Sequence, residues 1–371
     1  MRVFAGVRAL SFSIGVEMAT YDSPRSEVIS NLQESVGGYL AQQILSALNE
    51  GGQGQADEIK VQSAWVPGTQ VDPGTNILIA TPGSVDGNIE VPASVSALLF
   101  TGSTGVQATF NVVHDVAIEL SNGDDFIRVT APDSLVPETI TVDLGQGNDV
   151  YVGAVNAHNN VILGEGDNEV TGGNLSDSFD IGQGSGVVDA GEGYDLAYVR
   201  GSISDYTSSY ENGVLTLTNI LTNAVTEVKD LEFLTFENGG VIINVDTEAG
   251  FASAALYETV LGRSADSEGH AFYSQMAGTE LIQVAEDLIN SDEFASDHGS
   301  VYAVDMTDAQ FLDIMYENSF GREADAGGQA YWLEKLADGM SKGEVAVRFA
   351  YSSEEIAKFD GLINFDQDQT S

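Results

Sequence analysis

The sequence has no cysteine among its 371 residues, which excludes disulfides, thiolate metal sites and cysteine nucleophiles. Basic residues are also few: 13 Lys and Arg stand against 57 Asp and Glu, a formal net charge of −44. Such a charge repels nucleic acid and anionic membranes and suits the capture of cations, although a protein from a saline environment can look similar. Self-repulsion should destabilise the compact state until counter-ions bind.

Long apolar runs are missing as well, and no stretch approaches the roughly 18 apolar residues of a membrane span. Arg8 interrupts the apolar N-terminal stretch, and no small-residue cleavage motif follows it, so a cleaved signal peptide is not expected. Leu10, Phe12, Ile14 and Val16 alternate with small residues and predict a strand. Export would then use an uncleaved C-terminal signal, with which the short acidic tail is consistent.

Catalytic motifs are absent from the sequence. The four histidines lie far apart and form no H-E-x-x-H motif, and the segment TGSTG at 101–105 has its serine one place off G-x-S-x-G. Gly-x-Gly pairs are not followed by a helix, so they predict no phosphate loop. We therefore expect no enzyme, and residues 1–120 are the segment in which an unrecognised catalytic domain would have to lie.

A glycine-rich period is present between residues 144 and 200. The residues that close its polar turns follow one another at steps of 10, 9, 9, 9 and 9, and they are Asp149, Asn159, Asn168, Asp177, Gly186 and Asp195. Nine residues with turn glycines and a following apolar pair are typical of the nonapeptide β-helix. Two repeats make one coil of about 18 residues, so Asp149 should stack on Asn168, and Asn159, Asp177 and Asp195 along the other edge.

This pattern resembles the RTX (repeats-in-toxin) β-roll of proteins exported by type I secretion. The resemblance implies calcium ions held between stacked turns by main-chain carbonyls and acidic side chains. The ligands that it implies for a first ion are Gly145, Gly147, Asp149, Leu163, Glu165 and Asn168. Those for a second ion are Gly173, Leu175, Asp177, Ala190, Glu192 and Asp195.

Departures from the family pattern should weaken some of these turns, because Asn159 and Asn168 are neutral and Gly186 has no side chain. The Asp177 and Asp195 turns are therefore expected to bind most strongly, and the Asp149 and Asn168 turns next. The alternative is a solenoid whose turns are polar simply because turns are.

The segments before the period predict a small N-terminal strand and helix element at 1–58 and a β-rich region at 59–143. The helix should begin at Ser23-Pro24 and run to about Asn49, with a break at Gly37-Gly38. Short apolar runs from 59 to 120 fit a sandwich or a solenoid, and the solenoid is favoured because the run enters SNGDDFIRV without a linker. Asp125 in that segment is a further ligand candidate, against simple solvation.

Residues 201–247 predict a β-cap over the open end of the 144–200 roll. Asn212-Gly213 and Asn238-Gly239 lie between β-rich runs and predict hairpin turns. The segment around Lys229 to Gly239 resembles the cap that follows RTX arrays.

Residues 248–371 predict an all-α tandem repeat, because the segment 256–273 recurs as 315–332 at an offset of 59. Each copy should contain a helix, a glycine stop, an Arg-x-x-Asp loop, a second helix capped by Asp266 or Asp325, and a third helix ending in SDEF or SSEE. The arginine can reach the capping carboxylate, although a second calcium or ligand site is the alternative. The region resembles a tandem helical domain of unknown function found in RTX and S-layer proteins.

Together these features predict a multidomain β + α chain that binds Ca²⁺ and is exported without a cleaved signal peptide. It would fold on calcium outside the cell and serve as a cell-surface, S-layer-like, filament or matrix building block. Its partners would be calcium ions and further copies of itself, or a surface glycan or protein. The alternative function is a calcium-dependent adhesin or binding module for a glycan or protein.

Overall fold

The computed structural model describes residues 19–35, 38–48, 58–67, 69–80, 87–245, 247–277, 280–297, 306–356 and 362–365. The chain forms two compact units, residues 1–231 and residues 232–371. This division falls inside the segment predicted as a β-cap. The strand predicted at Leu10 to Val16 lies outside the described residues.

The first unit is a β-solenoid of two sheets whose strands are parallel except for β1 in the first sheet and for β16 and β17 in the second. The first sheet has, in spatial order, β1 Ala19–Pro24, β2 Glu58–Trp65, β3 Ile77–Ala80, β5 Ala97–Phe100, β7 Val116–Glu119, β9 Thr139–Asp143, β11 His158–Ile162, β13 Ser178–Ile181 and β15 Leu196–Val199. The second has β4 Asn88–Glu90, β6 Gln107–Asn111, β8 Phe126–Thr130, β10 Val150–Val152, β12 Asp167–Gly173, β14 Ser185–Gly191, β18 Val225–Lys229, β17 Val214–Asn219 and β16 Tyr206–Glu211.

The chain alternates between these sheets and makes about seven parallel turns over residues 61–199. The solenoid predicted for residues 59–200 is confirmed, and the sandwich alternative for its first half is wrong.

The solenoid core consists of rows of apolar side chains that point inward from successive coils. In the first sheet one such row, set by the parallel register, is buried throughout and contains Leu98, Ile118, Val142, Val161, Phe179 and Ala197. Burial of each large side chain in such a row stabilises the fold by roughly 1.5–3 kcal/mol. Because side chains alternate across a strand, this row fixes which residues face outward.

Two helices, α1 Arg25–Ser35 and α2 Gly38–Leu48, cover the outward face of the first coils. Leu40, Ile44 and Leu48 are buried against a cluster that includes Ile77 and Ala117. Gly37, at the expected break, lies outside the described residues, and Gly38 is the first residue of α2. The helix start was wrong by two residues, because Ser23-Pro24 pair with β2 as the end of β1.

The hairpin turn predicted at Asn212-Gly213 is confirmed. Strands β16 and β17 pair antiparallel and β17 pairs antiparallel with β18, which itself joins β14 in parallel. Asn212 and Gly213 take positive φ angles of 54° and 81° between β16 and β17. Positive φ at both central residues is the conformation of a type I′ hairpin turn, which Asn-Gly adopts most readily.

The second unit combines a small antiparallel sheet with two helical repeats. Its strands are β19 Phe233–Phe236, β20 Val241–Asn244 and β21 Leu362–Phe365, and the predicted Asn238-Gly239 turn joins β19 to β20. The first repeat contains α3 Glu248–Leu261, α4 Ser267–Ala277, α5 Leu281–Ile289 and α6 Asp292–Asp297. The second contains α7 Asp308–Phe320, α8 Ala326–Ala337, α9 Lys342–Ala350 and α10 Ser353–Ile356.

The loops of the two repeats match as predicted at the glycine and the aspartate. Gly262 and Gly321 end α3 and α7 with φ angles of 66° and 59°, and Asp325 accepts hydrogen bonds from the first turn of α8. Asp266 accepts equivalently from Gly269 N at 2.8 Å.

One expectation for the repeats, the end of the third helix, needs correction. SDEF and SSEE do not end the third helix but contribute to a fourth short one, because Ser291 Oγ accepts from Phe294 N and starts a new helix. Arg263 reaches the capping carboxylate as predicted, at 3.6 Å from Asp266, and also binds Glu293 of the fourth helix through two nitrogens. In the second repeat, Arg322 pairs with Glu354 of the fourth helix at 3.1 Å. A glutamate there meets the planar guanidinium fork, which favours paired contacts.

Among the described helices, none is both long and apolar enough to cross a bilayer.

Candidate metal centre

A column of polar side chains runs along one edge of the solenoid, one residue in each coil. Asp125 N donates to Asp149 Oδ1 at 2.8 Å, and Asp149 N donates to Asn168 Oδ1 at 2.9 Å. All three side chains are buried. The predicted stacking of Asp149 on Asn168 is therefore confirmed, and we call Asp125, Asp149 and Asn168 the first ladder.

The opposite edge carries a second ladder, formed by Asn159, Asp177 and Asp195. Asn159 N donates to Asp177 Oδ1 at 2.7 Å, and Asp177 N donates to Asp195 Oδ1 at 2.7 Å. These side chains are buried too, so the stacking predicted for this edge is also confirmed. In both ladders the first side-chain oxygen links one coil to the next.

The remaining side-chain atom distinguishes asparagine from aspartate rungs. Asn168 Nδ2 donates to Leu163 O at 2.7 Å, and Asn159 Nδ2 donates to Ala154 O at 3.0 Å. In each case the amide ties its turn together by bonding the carbonyl five residues earlier. An aspartate at the same rung brings an oxygen in place of that donor.

In the first ladder this exchange leaves two buried oxygens without a partner. Asp149 Oδ2 and Asp125 Oδ2 are buried and make no hydrogen bond. A buried carboxylate oxygen without a donor is costly, and protonation or a cation can remove the cost. A metal site can be tested at these two oxygens, because a bound cation would supply the partner that each of them lacks.

The second ladder satisfies its central carboxylate differently. Asp177 Oδ2 accepts hydrogen bonds from Gly173 N and, at 3.2 Å, from Asn159 Nδ2. Both oxygens of Asp177 are therefore already used by donors. The expected order of binding strength, with the Asp177 turn ahead of the Asp149 turn, stays a prediction.

The pKa values of the buried carboxyl groups reflect this arrangement. Burial raises the pKa of Asp149 to about 7, and the neighbouring charges of Asp125 and Asp124 add to the rise. Burial likewise raises the pKa of Asp125 to about 6, although hydrogen bonds from Val106 N and Ser121 oppose it. Burial raises the pKa of Asp177 to about 6, against the donors Asn159 and Gly173. Each carboxylate is thus held where a bound cation would stabilise its charged form.

Main-chain atoms of the predicted first site are brought together as the period implied. Glu165 N donates to Gly145 O at 2.9 Å, and Gly147 N donates to Glu165 O at 3.2 Å. A Cβ on Gly166, whose φ is 107°, would lie 1.8 Å from Gly147 O, so close stacking of these turns requires glycine. Leu163 O faces the amide of Asn168 in the same turn.

Residues of the predicted second site also converge. Glu192 N donates to Gly173 O at 3.0 Å. A Cβ on Gly172 would meet Ala190 O at 2.2 Å, and one on Gly193 would meet Leu175 O at 2.8 Å. All twelve predicted ligand residues therefore lie in stacked turns, while metal ligation by them stays a prediction.

Side chains alone do not build a metal centre here. In the described part of the chain, no three His, Asp or Glu side chains come together in a way that could hold an ion. A cation in the solenoid would therefore take most of its oxygens from main-chain carbonyls, as hard cations do. The carboxylates of Asp125 and Asp149 and the main-chain carbonyls of the adjoining turns are oxygen donors of the type that calcium prefers, and calcium binding by them stays a prediction.

Ser121 donates a hydrogen bond to the first ladder, and the sequence pattern did not predict this residue. Its Oγ donates to Asp125 Oδ1 at 3.0 Å, and Asp125 in turn supports Asp149. Asp125 lies 24 residues before Asp149 because of the inserted loop at 131–138, so the nine-residue period does not reach it. The segment SNGDDF was the available signal.

Comparison with known proteins gives one match. Residues 285–359 match the family described as Domain of unknown function (DUF4214). The matched DUF4214 segment begins within α5 and includes the whole second helical repeat. No curated protein and no solved structure matches the chain.

Proposed function

We propose that this chain is a non-enzymatic, calcium-binding protein of the RTX type, exported by type I secretion to the cell surface or extracellular space. There it serves as a structural building block of a surface layer, filament or matrix. The proposal rests on Oδ2 of Asp149, which is buried and makes no hydrogen bond. At the equivalent position of the next coil, Asn168 has an amide group that donates a hydrogen bond instead.

Calcium explains both the ladder and the composition. A divalent ion beside Asp125 and Asp149 would neutralise two buried carboxylates, and it would offset part of the charge of −44. The cytosol holds too little calcium to fill sites with dissociation constants of about 10⁻⁴ to 10⁻³ M, whereas extracellular fluid can fill them. The chain would then stay loosely folded before export and become compact at its destination.

A calcium titration of unfolding tests the proposal, with Asp149→Asn as the diagnostic variant. At a dissociation constant of about 10⁻⁴ M, about 5 mM calcium should stabilise the wild-type protein by about 2 kcal/mol per site. D149N should be more stable than wild type in chelator, because the amide supplies the missing donor, and it should lose the calcium gain of that site. Urea unfolding followed by circular dichroism measures both.

Asp167→Asn is the matched control, because it removes one charge from an exposed residue beside the same turns. D167N should keep the calcium gain. A wild-type protein that gains no stability from calcium would contradict the proposal, and a D149N variant with the full gain would place the ion elsewhere.

An adhesive function is the second candidate, and the helical repeats favour it. Phe272 on α4 and Tyr331 on α8 occupy equivalent positions, and they are 58% and 50% exposed. Exposed aromatic rings are typical of recognition surfaces, since they offer a large contact area with little loss of freedom. A glycan or protein array with wild type and the F272A/Y331A double variant would test this: binding lost in the variant favours the adhesin.

A further inference from the structure

The outer face of the second sheet carries an open groove of about 400 Å³, which we call the valine groove. It is bounded by residues 167–169 of β12, residues 185–187 of β14, and Val225 and Glu227 of β18. Its two valines, Val187 and Val225, are 42% and 37% exposed. Single exposed apolar side chains are common, whereas adjoining ones that are rimmed by polar residues indicate an interaction surface.

Carboxylates surround these valines. Glu169 and Glu227 lie opposite Val187 on its two sides in the parallel register. Since neighbouring strands are about 4.8 Å apart, the Cα atoms of the two glutamates are about 10 Å apart. Asp167 precedes Glu169 by two residues and therefore lies on the same face of β12. All three acidic side chains are exposed, and within the described residues none of them forms an ion pair.

The next outward row of the same strands shows how a basic side chain fits on this face. Lys229 on β18 lies opposite Asp189 on β14 in the register, and the two side chains pair. Two residues earlier on the same strands, Glu227 takes the place of Lys229, and Val187 takes the place of Asp189. The valine groove therefore has carboxylates and an apolar floor, while the row beside it has its own cation.

We propose that the valine groove is the docking site for a basic polypeptide segment of a partner protein. An arginine or lysine side chain of the partner lays its aliphatic stem on Val187 and Val225 and places its charge between Glu169 and Glu227. Arginine is the better fit, because its planar guanidinium binds a carboxylate through two nitrogens.

Charge complementarity selects this occupant. The formal charge of −44 repels acidic partners and attracts basic ones. A small inorganic cation gains nothing from the two valines, whereas a side chain with an aliphatic stem does. The groove lies open along the face of the sheet, and enclosed pockets are the usual sites for free small molecules. A side chain that remains attached to a polypeptide suits this shape.

Peptide binding to the full-length protein tests the proposal. The probe is a fluorescently labelled peptide that repeats the pair Arg-Val, and a peptide of equal length that repeats Arg-Ser has the same charge without the apolar side chains. Fluorescence anisotropy is measured in millimolar calcium at physiological salt. The Arg-Val peptide should bind several-fold more tightly than the Arg-Ser peptide, because only its valines add apolar contact with the groove.

Val187→Lys places a cation of the chain itself in the valine groove and should weaken binding of the Arg-Val peptide about tenfold. Gln107→Lys is the matched control, since Gln107 is exposed in the same outward row, four strands away. That distance of about 19 Å exceeds the screening length of about 8 Å. Q107K should therefore change binding by less than about twofold, and circular dichroism verifies that both variants are folded.

A double variant without an added cation gives a second measurement. Glu169→Gln with Glu227→Gln should weaken peptide binding several-fold more than Glu90→Gln with Asp133→Asn, which removes the same charge from exposed residues elsewhere. Equal weakening by each variant and its control would show that only the diffuse charge of the chain attracts the peptide, and it would overturn the proposal. Equal binding of the two peptides, or displacement of the Arg-Val peptide by an equal concentration of spermine, would also overturn it.

Discussion

At the scale of single residues, two neighbouring carboxyl groups outside the ladders have raised pKa values. Glu119 on β7 lies directly opposite Asp143 on β9 in the parallel register. Burial raises the pKa of Glu119 to about 8, and the charge of Asp143 adds to the rise. Burial also raises the pKa of Asp143, although Gly145 N donates to its Oδ1. Between about pH 4.5 and pH 8, the folded chain therefore favours the protonated form of Glu119, whereas the unfolded chain favours the ionised form.

Glu119→Gln should remove a pH dependence of stability. The folded-state pKa of about 8 lies above the ordinary value of 4.5, so this residue's contribution is most favourable below about pH 4.5 and is lost as the pH rises to 8. The loss is up to about 1.4 kcal/mol per pH unit. Urea unfolding in chelator at about pH 5 and pH 8.5 should show a smaller decline for E119Q than for wild type.

Glu227→Gln is the matched control for this measurement, because Glu227 is an exposed glutamate on β18. It should leave the decline of the wild type unchanged. An E119Q protein with the full wild-type decline would show that Glu119 is ionised in the folded state.

Sequence reasoning predicted the ladder rungs from Asp149 to Asp195 because their spacing is regular and local. It did not identify Ser121 or the partnerless oxygens of Asp125 and Asp149, since these depend on contacts between coils. Glu119 was missed for the same reason: its pKa is set by burial on the outer face of the first sheet, which no local pattern reports.

At the scale of elements, the helical repeats are locked by a tyrosine that packs against a glycine of the next helix. A Cβ on Gly269 would lie 2.0 Å from the hydroxyl of Tyr257, and one on Gly328 would lie 2.3 Å from that of Tyr316. The arginine after each glycine stop lies over the same rings, with Arg263 5.2 Å from the Tyr257 centroid and Arg322 5.5 Å from that of Tyr316. Helix contact and loop structure are therefore coupled through each tyrosine.

Gly328→Ala should destabilise the second unit by about 1–3 kcal/mol, because the added methyl group forces Tyr316 from its place. Gly327→Ala is its neighbour in α8, where a Cβ would come no closer than 3.2 Å to Asp325 Oδ1. That variant should be neutral or stabilised by up to about 1 kcal/mol, since alanine favours a helix. Thermal unfolding compares the two, and equal effects would mean that Tyr316 moves aside freely.

The tandem offset of 59 residues predicted the first two helices of each repeat and their caps, because glycine stops and aspartate caps are local signals. The split between the third and fourth helices was missed, although Ser291 is a helix-start residue. The partners of Arg263 and Arg322 lie 30 and 32 residues further along, and tertiary packing brings them there.

At the scale of the whole molecule, the charge of −44 should make the metal-free fold sensitive to salt of any kind. Raising sodium chloride from about 20 mM to about 500 mM shortens the screening length from about 20 Å to about 4 Å. The melting temperature in chelator should rise by several degrees, and D149N should show the same rise, because screening acts on all exposed charges. Scanning calorimetry tests this, and a rise absent from D149N would place the salt effect at the ladder.

The coil repeat determines how the length of such a solenoid can change in evolution. Asn168 and Gly186 occupy the same rung in successive coils, 18 residues apart. Loss or duplication of one such block would join equivalent positions and leave both ends intact, while the reach of the molecule would change by about 4.8 Å. The length of the solenoid can therefore change in steps of one coil while the structure of its two ends stays the same.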